Sequence, residues 1–137
     1  MDQSVVPMIA YQDGPAAMDW LARAFGFREL RRMVDAAGRL GHGEMDTGGG
    51  GLVMLASPSP DYESPRTHRE HCEAAARWHE VPWVVDGVLV YVDDVDAHHR
   101  RAVAAGARVL SPVEEGPPAR RYRVEDCEGH RWMFMQR

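Results

Sequence analysis

The chain has 137 residues, and 16 Lys+Arg against 21 Asp+Glu leave a formal net charge of −5. That length suits one compact unit with a single core, and 45% hydrophobic with 27% charged residues excludes wholesale disorder. The acidic balance supplies no basic surface for phosphate, so no nucleic acid is expected as a partner, and no membrane either, because the longest apolar run, around Val88–Val92, is too short to span a bilayer.

Met1–Val6 carries Asp2 and no basic residue, unlike a secretory leader. Val5–Tyr11 is short and apolar and ends at Gln12-Asp13-Gly14-Pro15, which predicts a strand followed by a helix start. Pro15 suits a first helical turn, where its missing N–H has no partner to lose. Met18, Leu21, Ala22 and Phe25 then recur at helical spacing, and Gly26 supplies a left-handed stop. Strands follow at Arg28–Val34, Leu40–Asp46 and Leu52–Ala56. Ser57–Asp86 opens as a loop, and its Ala-rich stretch Thr67–Glu80 predicts an extra helix.

The same order of signals then returns: a strand over Val88–Val92, a helix capped by Asp93 or Asp94 over Val95–Ala105, Gly106 as its stop, and a strand starting at Arg108–Leu110. Strands Arg121–Glu125 and Arg131–Gln136 flank the turn Asp126-Cys127-Glu128-Gly129. A shift of 80 residues lays Tyr11 on Tyr91, Asp13 on Asp93 and Gly26 on Gly106, and Leu52, Met54 and Leu55 on Trp132, Phe134 and Met135. The chain therefore reads as α+β, with two β-α-β-β-β modules in tandem (residues 4–56 and 87–137) joined by a partly helical linker (57–86).

Tyr11-Gln12-Asp13 with Ala17-Met18-Asp19-Trp20-Leu21 and Phe25-Gly26-Phe27, together with the closing hairpin Tyr122 to Trp132, resembles the vicinal oxygen chelate superfamily of glyoxalases, bleomycin-resistance proteins and dioxygenases. Cys127 stands where proline is usual in the family's strand–Asp-x-x-Gly–strand ending. The resemblance implies a single domain whose paired modules curl into a cup (the glyoxalase/bleomycin-resistance fold). It places metal ligands in the first and last strand of each module, positions held here by Val6, Val53, Gly87 (or Asp86) and Met133. None of Val, Gly or Met offers the hard oxygen or nitrogen donors a divalent cation needs, so neither metal nor cofactor is expected. Metal-free members resembling bleomycin-resistance proteins hold a bulky ligand in the cup.

If Met133 faces the cup, so do Arg131 and Met135, while Trp132 and Phe134 pack under the helices. A two-residue turn at Cys127-Glu128 sets Tyr122 opposite Met133 and Val124 opposite Arg131, and the 80-residue shift carries those positions to His42 and Glu44. His42 and Glu44 then form a candidate acid–base pair, or else a hydrated pair on a strand face. Tyr91, Tyr122, Trp83, Arg131 and Met133 are the candidate ligand-binding residues.

His68, His71 and Cys72 fall at helical spacing, but their Arg- and Glu-rich surroundings describe a solvated helix face better than a metal site. Gly48–Gly51 precedes a strand and lacks the Gly-Lys-Ser/Thr of a phosphate loop. Arg120, Arg121 and Arg123 suit an anionic ligand, although Glu114, Glu115 and Glu125 offer simpler local neutralisation. Cys72 and Cys127 are read as reduced thiols of a cytoplasmic protein, and acidic neighbours make Cys127 a poor nucleophile.

The leading expectation is a metal-free protein that holds a hydrophobic or aromatic small molecule. The alternative is an enzyme of the same superfamily, of lyase, isomerase or dioxygenase type, using His42 and Glu44 or an unrecognised divalent metal site. A third is a domain that associates with another protein. A homodimer is expected, because two modules must pair to close one cup.

Overall fold

Each half of the chain builds a four-stranded mixed sheet with one long helix against it, the α+β tandem arrangement expected. The computed structural model describes residues 3–83 and 86–137. Met1 and Asp2, and Val84 and Val85 of the linker, lie outside them. The first module comprises β1 (Met8–Ala10), α1 (Gly14–Phe25), β2 (Arg28–Val34), β3 (Leu40–Gly48) and β4 (Gly51–Ala56), in the sheet order β1-β4-β3-β2. The linker forms α2 (Pro65–His68) and α3 (Glu73–Trp78). The second module comprises β5 (Gly87–Val92), α4 (Val95–Ala104), β6 (Arg108–Glu114), β7 (Arg121–Glu125) and β8 (Arg131–Gln136), in the order β5-β8-β7-β6.

Both long helices begin by the same chemistry. The Asp13 carboxylate accepts from the Ala16 amide, and the Asp94 carboxylate accepts from the Ala97 amide, each at 3.0 Å. Gly26 ends α1 in the left-handed conformation, where a side chain would be strained. Arg101 of α4 donates to the Ala22 and Arg23 carbonyls, and His98 to that of Phe25, so the second module caps the first module's helix. The two modules also share one core: Phe25 and Phe27 meet Trp132 and Phe134 edge-on or tilted, with ring centroids 4.8–6.3 Å apart.

Three expectations change. The linker is not one helix over Thr67–Glu80: at Cys72 the backbone is extended (φ −131°, ψ 107°), which separates two short helices. The closing turn is a three-residue loop, with the Asp126 amide bonded to the His130 carbonyl at 2.8 Å and Gly129 at φ 89°. That extra residue moves the register by one, so Tyr122 pairs with Phe134 and Val124 with Trp132.

The repeat also lacks a constant offset. Met8 and Leu89 stand equally far before the capping Asp13 and Asp94, and their parallel partners are Met54 and Met133. Met54, not Val53, is therefore the counterpart of Met133. Val53 is buried beneath α1 together with Leu55.

Candidate functional site

Strand alternation divides each sheet into a face packed under its helix and a face turned away from it. In the second module Trp132, Phe134, Tyr122, Val124 and Val90 fill the helix side. The opposite face carries Gly87, Leu89 and Tyr91 on β5, Arg131, Met133 and Met135 on β8, and Arg121, Arg123 and Glu125 on β7. In the first module Met45, Val53 and Leu55 lie under α1, which leaves Met8, Met54, His42 and Glu44 on the opposite face.

His42 and Glu44 meet there, Nε2 to Oε2, at 3.0 Å. His42 also lines an apolar pocket of about 270 Å³ with Met8, Met54 and Pro58. Across the sheets, Trp83, Leu89, Arg123, Arg131 and Met133 line a second pocket of about 260 Å³. The structure thus gathers four of the five candidate ligand-binding residues on the second module's open face: Trp83, Arg131 and Met133 in that pocket, and Tyr91 farther along β5.

Tyr122 is the correction. It is 0% exposed on the helix side, its hydroxyl donates to His98 Nδ1 at 2.6 Å, and burial raises its pKa. It is a core residue, and the three-residue turn is what put it there.

Arg131 has a role that sequence reasoning missed. Its guanidinium donates to the carbonyls of His79 (2.6 Å) and Val81, and so holds down the end of the linker that carries Trp83. It also reaches Glu125 at 3.4 Å. Glu125 is 2% exposed and is gripped by both terminal nitrogens of Arg69, at 2.6 and 3.0 Å. The Arg69–Glu125 pairing spans 56 residues of chain, and only the Arg-rich character of the linker hinted at it.

The donors present do not fit the superfamily's divalent cation. Met54 with its neighbour Met8, Met133 with its neighbour Leu89, and Gly87 present thioethers, hydrocarbon and bare backbone. Among the described residues no three His, Cys, Asp or Glu side chains stand close enough to share an ion. His71 instead pairs with Glu63 at 2.5 Å. Both cysteines are free thiols, and burial, then Asp126 and Glu128, push Cys127 up to about 12, where it stays protonated. Among the described residues no helix is long and apolar enough to cross a membrane.

Comparison with known proteins agrees with this architecture. TioX from Micromonospora sp. ML1 is 37% identical and superposes with a TM-score of 0.71 over 98% of this chain and 96% of its own. TnmS3, an antibiotic binding protein from Streptomyces sp. CB03234, is 20% identical, with a TM-score of 0.68 over 99% of this chain and 96% of its own, a likeness of fold. The Mycobacterium bovis protein Mb0911c is 29% identical over 141 residues, covering 99% of this chain and 84% of that protein. The model of the Glyoxalase/Bleomycin resistance protein/Dioxygenase superfamily matches residues 4–134, and the chain belongs to that superfamily.

Proposed function

We propose that the protein binds a hydrophobic or aromatic small molecule, without metal, on the open faces of its sheets. One observation carries this reading. Where the superfamily's metalloenzymes present ligands, this chain presents thioether, aliphatic or bare-backbone groups beside an exposed indole, Trp83. Such a surface recognises by shape and stacking. TnmS3, which shares the fold, carries the description antibiotic binding protein. The test is calorimetric titration of the full chain with a panel of planar aromatic antibiotics, before and after EDTA. Saturable binding that survives EDTA, with the compound recovered unchanged, is expected. Stoichiometric Mg²⁺, Mn²⁺, Fe²⁺, Ni²⁺ or Zn²⁺ together with metal-restored turnover would overturn it.

The His42–Glu44 contact at 3.0 Å, beside an apolar pocket, favours a second reading, an enzyme with this pair as base and orienting acid. On that reading His42→Ala abolishes turnover and leaves stability nearly unchanged. A change in ligand affinity alone returns the site to binding.

We further propose a cytoplasmic homodimer. Met8 is 84% exposed at the edge of the first module's open face, and Leu30, Met33 and Val34 of β2 are exposed as well. A second copy that covers them also closes the cup. A monomer by light scattering at micromolar concentration would contradict this.

A further inference from the structure

The open face of the second module carries positive charge at Arg123 that no described residue neutralises by an ion pair. Arg120 pairs with Asp96 at 2.5 and 2.7 Å and with Glu115, and Arg121 faces Glu114 at 3.7 Å. Arg123, between them and Glu125 on the same strand, makes no ion pair with any described residue. Its guanidinium carbon lies instead 6.0 Å from the centre of the Trp83 ring. Nearby, Arg69, Arg131 and Arg108 all converge on Glu125, at 2.6, 3.4 and 3.5 Å. The pocket wall itself carries two guanidiniums, Arg123 and Arg131, against one carboxylate, the exposed Asp86, and the Arg121–Glu114 pair adjoins it beside Trp83.

Two features at one place call for an occupant. Trp83 is 70% exposed, an indole held out in water by a linker that Arg131 ties down. Arg123 is a half-buried cation whose fork of donors matches a carboxylate. Leu89 and Met133 supply an apolar floor between them.

We infer that this pocket takes a planar aromatic acid, its ring against Trp83 and its anionic group on Arg123. This rests on the small-molecule-binding reading and adds the ligand's charge to it. A ring stacked on the indole excludes water from the guanidinium, and ion pairing strengthens as water leaves.

The experiment titrates the full chain calorimetrically with anthraquinone-2-carboxylate and with its neutral isostere, anthraquinone-2-carboxamide. Wild-type protein is expected to bind the acid at least about tenfold more tightly than the amide, the gain of a charge-assisted hydrogen-bond pair over neutral ones. Arg123→Gln brings the two within about threefold by weakening the acid alone, and added salt narrows the wild-type difference. Trp83→Ala weakens both probes. Should Arg123→Gln fail to fold, Arg123→Lys, which keeps the charge and loses the fork, is expected to give an intermediate preference. Equal affinity for acid and amide in wild type, or a preference that survives Arg123→Gln, overturns the inference and leaves the binding reading standing. If neither probe nor any compound of the antibiotic panel binds, both fall.

Discussion

The Tyr11 hydroxyl donates to Oδ2 of Asp126 across 2.5 Å, joining the end of the first module's first strand to the closing turn of the second. Both residues are buried, and the same carboxylate oxygen accepts from Trp132 Nε1 at 3.0 Å. One residue pair further on, the Glu128 carboxylate accepts from the Gln12 and Asp13 amides, and His130 donates to the Ala10 carbonyl. The Asp-x-x-Gly turn is thus the clasp between the modules. Burial pushes the Asp126 carboxyl up, while His130, Tyr11, Trp132 and the Glu128 amide pull it back down. Tyr11→Phe removes a buried donor from that carboxylate, and urea unfolding is expected to show a loss of about 1–3 kcal/mol. An unchanged midpoint would mean that the clasp contributes nothing.

His98 ties the helices together in its neutral form. Nε2 donates to the Phe25 carbonyl at 2.9 Å, which leaves Nδ1 to accept from Tyr122. Burial, aided by Arg101, lowers its pKa to about 4 although the Phe25 carbonyl opposes this. Because the folded value lies below the unfolded one, its contribution is fully present above about pH 6.5 and is lost as pH falls towards about 4. Allowing for its partial exposure, the loss is roughly 2 kcal/mol. Unfolding free energies compared between about pH 7 and pH 4.5 should fall more for wild type than for His98→Gln. Equal falls would assign the acid sensitivity elsewhere.

Gly129 carries both a positive φ of 89° and a close neighbour. A methyl group built there would sit 2.7 Å from the Arg66 amide nitrogen, which itself bonds to the Glu128 carbonyl. Gly129→Ala is expected to destabilise by about 1–3 kcal/mol, and hydrogen exchange at Arg66 should rise along with it. Gly38→Ala, with φ 82° but no atom within 4 Å, isolates the conformational part and should lose less.

Trp132 of the second module and Trp83 of the linker should separate stability from recognition. Trp132 is 1% exposed, so Trp132→Ala is expected to lose about 3–5 kcal/mol. Trp83→Ala should stay within about 0.5 kcal/mol of wild type in thermal or urea unfolding, while its ligand affinity drops. A large loss of stability at Trp83 would make it a packing residue.

Element types were legible in the sequence because each rests on local chemistry: Asp13 and Asp94 cap, Gly26 and Gly106 stop, and Trp132 and Phe134 alternate. Faces were less legible, because a strand's face turns on single residues. The self-similarity at 80 residues lies between two true offsets, 81 from Asp13 to Asp94 and 79 from Met54 to Met133. The closing turn holds three residues where two were counted. The turn error alone sends Tyr122 to the wrong side, and it cancels against the offset error at His42 and Glu44, whose true counterparts are Arg121 and Arg123. The Arg69–Glu125 and Arg131–linker contacts have no periodic signature at all, since they join residues remote in the chain.

Arg131 fastens the linker at His79 and Val81 beside the second sheet, and among the described residues no such segment covers the first. Two copies of one plan have thereby become unequal: one trough stays bare, while the other has gained a roof. The residue at position 83 forms the eave of that roof and supports nothing beneath it. Replacing it would redraw the outline of what enters while the foundations of both halves stay as they are.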